Sequence, residues 1–77
     1  MNKQRRKELE ALAEKVRELM GKIEDLKSEE EEYMDNMPES LQQSEKYYAA
    51  ESAVDFMDSA LTGLEDIAGQ LEEAASV

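Results

Sequence analysis

Apolar residues recur along this chain at alternating intervals of three and four. In the first half they fall at Leu9, Leu12, Val16, Leu19, Ile23, Leu26 and Tyr33. In the second half they fall at Tyr47, Val54, Met57, Leu61, Leu64, Ala68 and Leu71. This spacing is the seam of a coiled coil, two columns per heptad on one side of a helix. Folding the chain so that facing residue numbers sum to 80 sets Leu9 against Leu71, Val16 against Leu64, Ile23 against Met57 and Tyr33 against Tyr47. In the same register Leu12 meets Ala68, Leu19 meets Leu61 and Leu26 meets Val54. The pattern predicts an all-α fold, a coiled-coil-like antiparallel helical hairpin that forms one domain over residues 1–77.

Helix 1 is expected over about residues 3–34, the turn over about 35–44, and helix 2 from between 38 and 45 to about 75. Leu, Glu, Lys, Arg and Ala dominate the first helix, and all are good helix formers. Glu14 with Arg17 and Glu18 with Lys22 have the spacing of exposed helix pairs. Asn36 followed by Glu39, with Pro38 between them, fits a capping box at the start of helix 2 and favours the earlier boundary. Ser40 with Gln43 offers a second start. Gly21, Gly63 and Gly69 lie inside the helices but off the seam, where glycine is tolerated at a cost of ~1 kcal/mol each relative to Ala.

The apolar stripes are wider than one seam. Helix 1 adds Ala13, Met20 and Met34 on one flank. Helix 2 adds Ala53, Ala60, Ile67 and Ala74, with Phe56 further round. Three apolar positions per heptad suit a bundle core rather than a two-helix coil. These eight residues are therefore the self-association candidates, and the expected assembly is a homodimer that forms a four-helix bundle. Small alanines on helix 2 would let a neighbouring helix approach, with leucines of helix 1 filling the opposing space.

Composition narrows the chemistry. The 77 residues include no cysteine and no histidine, so disulfides and the usual zinc sites are excluded. A chain this short buries a modest share of its surface, which leaves association as the source of extra burial. The formal net charge is -11. Residues 1–27 hold eight Lys/Arg and six Asp/Glu, whereas residues 28–77 hold Lys46 alone against fourteen acids. Such a surface repels nucleic acid and anionic membranes and favours a basic protein partner. No apolar run has the length of a spanning segment or a leader, so a cytoplasmic location without membrane contact is expected.

Several residues invite a functional reading. Glu30 occupies a seam position opposite Ala50, where a lone carboxylate is costly unless it reaches water or a partner. Glu29, Glu30, Glu31 and Glu32 form an acid run that lacks the alternating ligands and glycine of a calcium loop. Tyr33, Tyr47 and Tyr48 gather near the turn, and Tyr and Met favour interface cores. With Asp58 and Glu65 these are the partner-contact candidates. Lys3, Arg5, Arg6 and Lys7 oppose the dipole at the helix 1 N-terminus. Either Glu72 and Glu73 at the far end of helix 2 neutralise them, or they touch something outside the hairpin. Nucleophile, base and orienting group do not occur as a set, and no phosphate loop is present. Catalytic, cofactor-binding and metal residues are accordingly expected to be none.

The segments MNKQRRKELE at 1–10 and DNMPESLQQSEKYYAAESAVD at 35–55 resemble a group of small acidic proteins encoded by phages and prophages of Firmicutes bacteria. The shared features are a basic start, a Glu-rich middle, an Asn-Met/Leu-Pro-Glu turn and an alternating acidic-apolar tail. The resemblance covers most of the chain and implies a mobile-element origin and an accessory role in a bacterial host. It carries over no functional residue.

The resulting expectation is a non-enzymatic protein-interaction module. One version is an acidic DNA mimic that inhibits a nucleic-acid-handling or defence protein of the host, its carboxylates standing in for phosphates. The alternatives are a structural or assembly protein that acts through self-association, and a small-ligand sponge with pockets at a dimer interface.

Overall fold

A computed structural model describes all of residues 1–77. Helix α1 runs over Lys3–Asp35 and helix α2 over Glu45–Ser76, and the two pack side by side along a rod with extents of 60 × 14 × 12 Å. There is no strand. Asn2 caps α1, its Oδ1 accepting from the Arg5 amide at 2.8 Å. Such a cap satisfies one of the orphan amides of the first turn.

The connection differs from the expected one. Asn36 has φ -86° and ψ -3°, still close to helical, and its amide donates to the Glu32 carbonyl at 3.0 Å. It closes α1 instead of opening α2. Pro38 is extended, with ψ 146°, and Glu39–Leu41 forms a single 3-10 turn. Ser44 is the true N-cap of α2. Its backbone is extended and its Oγ accepts from the Tyr47 amide at 3.4 Å while donating to the Leu41 carbonyl at 2.6 Å. Helix α2 therefore begins at the later of the two boundaries, because Ser44 both ends the turn and supplies the cap. Neither the Asn36–Glu39 box nor Ser40 with Gln43 starts it.

The seam also differs, on α1. The covered positions there are Leu9, Ala13, Val16, Met20, Ile23, Lys27, Glu30 and Met34. They step by four and three without interruption. Leu9, Val16, Ile23 and Glu30 keep their place, but the second column is Ala13, Met20, Lys27 and Met34. Leu12, Leu19, Leu26 and Tyr33 are instead exposed by 49%, 52%, 58% and 46%. On α2 the seam follows Tyr47, Ala50, Val54, Met57, Leu61, Leu64, Ala68, Leu71 and Ala75. Helix α1 is thus rotated by one column from the expected orientation. Ala13, Met20 and Met34 belong to the hairpin's own interior and not to an open flank.

The register shifts with the rotation. Arg6 reaches the Val77 carbonyl, Lys27 reaches Asp58, and Arg17 straddles Glu65 and Glu72. Facing residue numbers therefore sum to about 84, not 80, in the antiparallel pairing of heptad positions. The fully buried residues are Ala13, Ala50, Ala68 and Ala75, and no large side chain is fully buried. Alanines on both helices allow close approach, but two helices alone give each larger side chain only partial cover.

Candidate functional site, an open apolar face

The seam divides the remaining surface into two unlike sides. In an antiparallel pair, the heptad columns that flank the seam on one side of one helix face the matching columns of the other. On the first side stand Glu10, Arg17, Glu24 and Glu31 of α1 and Glu51, Asp58, Glu65 and Glu72 of α2. This side carries the ion pairs. The Arg17 guanidinium donates to Glu65 at 3.0 Å and to both carboxylate oxygens of Glu72, at 2.7 and 3.1 Å. Lys27 Nζ lies 2.6 Å from Asp58. Arg17 thus crosses to α2 instead of pairing with Glu14 along its own helix.

These contacts perturb the groups that make them. The hydrogen bond from Arg17 holds the Glu72 carboxyl below the usual carboxylate range. The bond to Asp58 raises the Lys27 ammonium above its ordinary value, and Glu72 followed by Glu65 raises the Arg17 guanidinium. All of these groups are exposed or partly exposed, so the bridges orient the helices more than they stabilise them.

The second side carries almost no charge. The α1 column is Leu12, Leu19, Leu26 and Tyr33, each about half exposed. The α2 column beside it is Ala53, Ala60, Ile67 and Ala74. Ile67 is 46% exposed, Ala60 is exposed, and Ala53 and Ala74 are partly covered. The next column of α2 continues the surface with Ala49, Phe56, Gly63 and Gln70, and Phe56 is 77% exposed. The result is one apolar strip along the whole rod, formed by both helices. Covering the wet half of each leucine would contribute on the order of 1 kcal/mol.

Five of the eight expected self-association residues lie on or beside this strip: Ala53, Phe56, Ala60, Ile67 and Ala74. Three large residues of the strip, Leu12, Leu19 and Leu26, are absent from the sequence-based candidates, whereas Tyr33 is among the partner-contact candidates. Their spacing from Leu9 fits a seam as well as that of Ala13, Met20, Lys27 and Met34 does. On bulk and hydropathy, the leucine column is the expected interior. The tertiary pairing instead places the column of Ala13, Met20, Lys27 and Met34 inside, where Lys27 can reach Asp58.

The partner-contact candidates separate into two groups. Asp58 and Glu65 are already engaged by Lys27 and Arg17. Glu29, Glu31 and Glu32 are exposed and without a salt bridge, while Glu30 is partly covered at the seam. Tyr47 and Tyr48 touch edge to face, with ring centroids 6.2 Å apart. Tyr33 instead lines an open cleft of about 620 Å³ at the turn, with Met37, Pro38, Leu41 and Lys46 among its walls. The three tyrosines therefore do not form one patch.

Charge is concentrated at the same end. Residues 23–61, the half of the rod next to the turn, contain twelve acids and two bases. The remaining residues contain eight acids and seven bases. No group of three or more acids is arranged to hold a metal ion, and no helix is long and apolar enough to cross a membrane. No family model, no curated protein and no solved structure matches the chain.

Proposed function

We propose that this chain is a non-enzymatic protein-interaction module that works as a homodimer, two hairpins closing into a four-helix bundle over their apolar strips. The observation that carries this reading is the half-exposed column Leu12, Leu19, Leu26 and Tyr33, beside a small-residue column on α2. Three apolar columns per helix are one more than a hairpin can cover, and a bundle covers all three. Sedimentation over a range of concentrations tests it. The expected result is twice the chain mass, 8.8 kDa, with Leu19→Glu shifting the protein toward monomer. A monomer at every concentration rejects it.

The bundle's outer surface is suited to a basic partner. Near the turn, Glu29, Glu31, Glu32, Glu51 and Asp55 have no salt bridge, so their charge is free to act outward. Carboxylates on a long rod present repeated negative charge, as the phosphates of nucleic acid do. Mimicry of that kind, serving an accessory role in a phage or prophage, fits the composition. Capture of a basic host protein in low salt, released as salt rises and abolished by Glu31→Gln with Glu51→Gln and Asp55→Asn, is the expected outcome. Salt-insensitive capture, or capture unaffected by the triple variant, rejects mimicry.

A further inference from the structure

We infer that the occupant of the apolar strip is a second copy of this chain turned end for end, so that the two turns lie at opposite ends of the bundle. The inference rests on the dimer reading above and specifies its geometry.

Charge along the rod favours this arrangement. A dimer with both turns at one end would set two strongly acidic halves side by side, each with twelve acids and two bases. Reversing one copy places each acidic half beside the other's nearly balanced half. It also answers the question left by Lys3, Arg5 and Lys7, none of which has an ion pair within the hairpin. In the reversed copy these bases come level with the acidic turn of the partner, near Asp35 and Glu39 of this same sequence.

The register of the strip points the same way. A two-fold axis across the middle of the rod pairs every member of both columns. On α1, Leu19 meets the second copy's Leu26, and Leu12 meets its Tyr33. On α2, Ala60 meets Ile67 and Ala53 meets Ala74. The α1 set centres between Lys22 and Ile23, and the α2 set centres between Gly63 and Leu64. Those two centres lie at almost the same height in the observed hairpin, so one axis serves both helices. Isologous contacts require this kind of self-complementarity.

The neighbouring columns agree. Lys15 faces the second copy's Glu29, twice over by symmetry. Gly63 falls on the axis and meets its own counterpart, and a Cβ built there has nothing within 4 Å in the hairpin. Two glycines at a helix crossing allow the close backbone approach that an alanine-lined pair favours. One contact opposes the arrangement, because Lys22 approaches its own copy. Both ammonium groups are exposed on flexible stems, and screening within about 8 Å at physiological salt makes that a minor cost.

The chain has no cysteine, so a single introduced thiol is unique. Ser40→Cys places a spin label on the exposed turn, and Gln43→Cys repeats the measurement if the first variant folds poorly. Sedimentation and the label–label distance are read on the same sample. The expected result is a dimer whose labels lie about as far apart as the 60 Å rod is long. A dimer with labels within roughly 25 Å, about two helix diameters, overturns the end-for-end arrangement and leaves the interaction module intact. A monomer at all concentrations overturns both.

Discussion

At the level of single residues, the seam is set by four buried alanines and a few cross-helix bridges. Ala68 is fully buried and Ala13 is 1% exposed, so neither site has room for a larger side chain. Ala68→Leu is expected to lower stability by about 1–3 kcal/mol through overpacking, measured by urea denaturation at fixed protein concentration. No loss would mean that the helices do not approach closely there.

The bridges make a pH prediction at the same scale. The Glu72 carboxyl titrates lower in the folded chain than in the unfolded one, so its stabilisation is present above the ordinary carboxylate pKa. It disappears as pH falls through the lowered folded value. Lys27 behaves oppositely: its raised pKa gives stabilisation that is complete below the ordinary lysine value and is lost as pH rises through the raised one. Arg17→Met should therefore flatten the acid limb of a melting-temperature profile, and Lys27→Met the alkaline limb. Unchanged limbs in both variants would show that these pairs do not persist in solution.

At the level of elements, each helix owes its start to one polar cap. Ser44→Ala should cost roughly 1 kcal/mol, because the Tyr47 amide loses its acceptor. Asn36→Ala should cost much less, since Asn36 ends α1 through its backbone amide and no side-chain bond. Equal losses in the two variants would return the start of α2 to the earlier boundary. Gly21 sits within α1, and a Cβ there meets nothing within 4 Å. Gly21→Ala is accordingly expected to raise stability by about 0.5–1 kcal/mol, read from the same denaturation curves.

For the whole molecule, the governing fact is how little a two-helix rod encloses. No large side chain is fully covered, and the most exposed of the aromatic residues, Phe56, stands beside the apolar strip. If stability comes from a dimer, the melting temperature must rise with protein concentration. Leu19→Ala and Leu26→Ala should each weaken association on the order of tenfold or more while leaving helix content intact at high concentration. A concentration-independent transition would remove the dimer from the account.

The sequence by itself determined the fold class, because the three-four spacing of apolar residues imposes helices and a break near Pro38 lets them pair. Charge asymmetry and the missing cysteine and histidine are likewise properties of composition alone. Only the tertiary structure decided which of two equally spaced columns of α1 faces inward. Leu12, Leu19, Leu26 and Tyr33 compete with Ala13, Met20, Lys27 and Met34, and spacing cannot choose between columns one residue apart. The choice depends on contacts between distant segments: Arg17 with Glu65 and Glu72, Lys27 with Asp58, and buried alanines set level with larger side chains of the other helix, Ala13 with Leu71 and Ala68 with Val16. Those contacts exist only once both helices are formed and in register, so the identity of the open face was decided there.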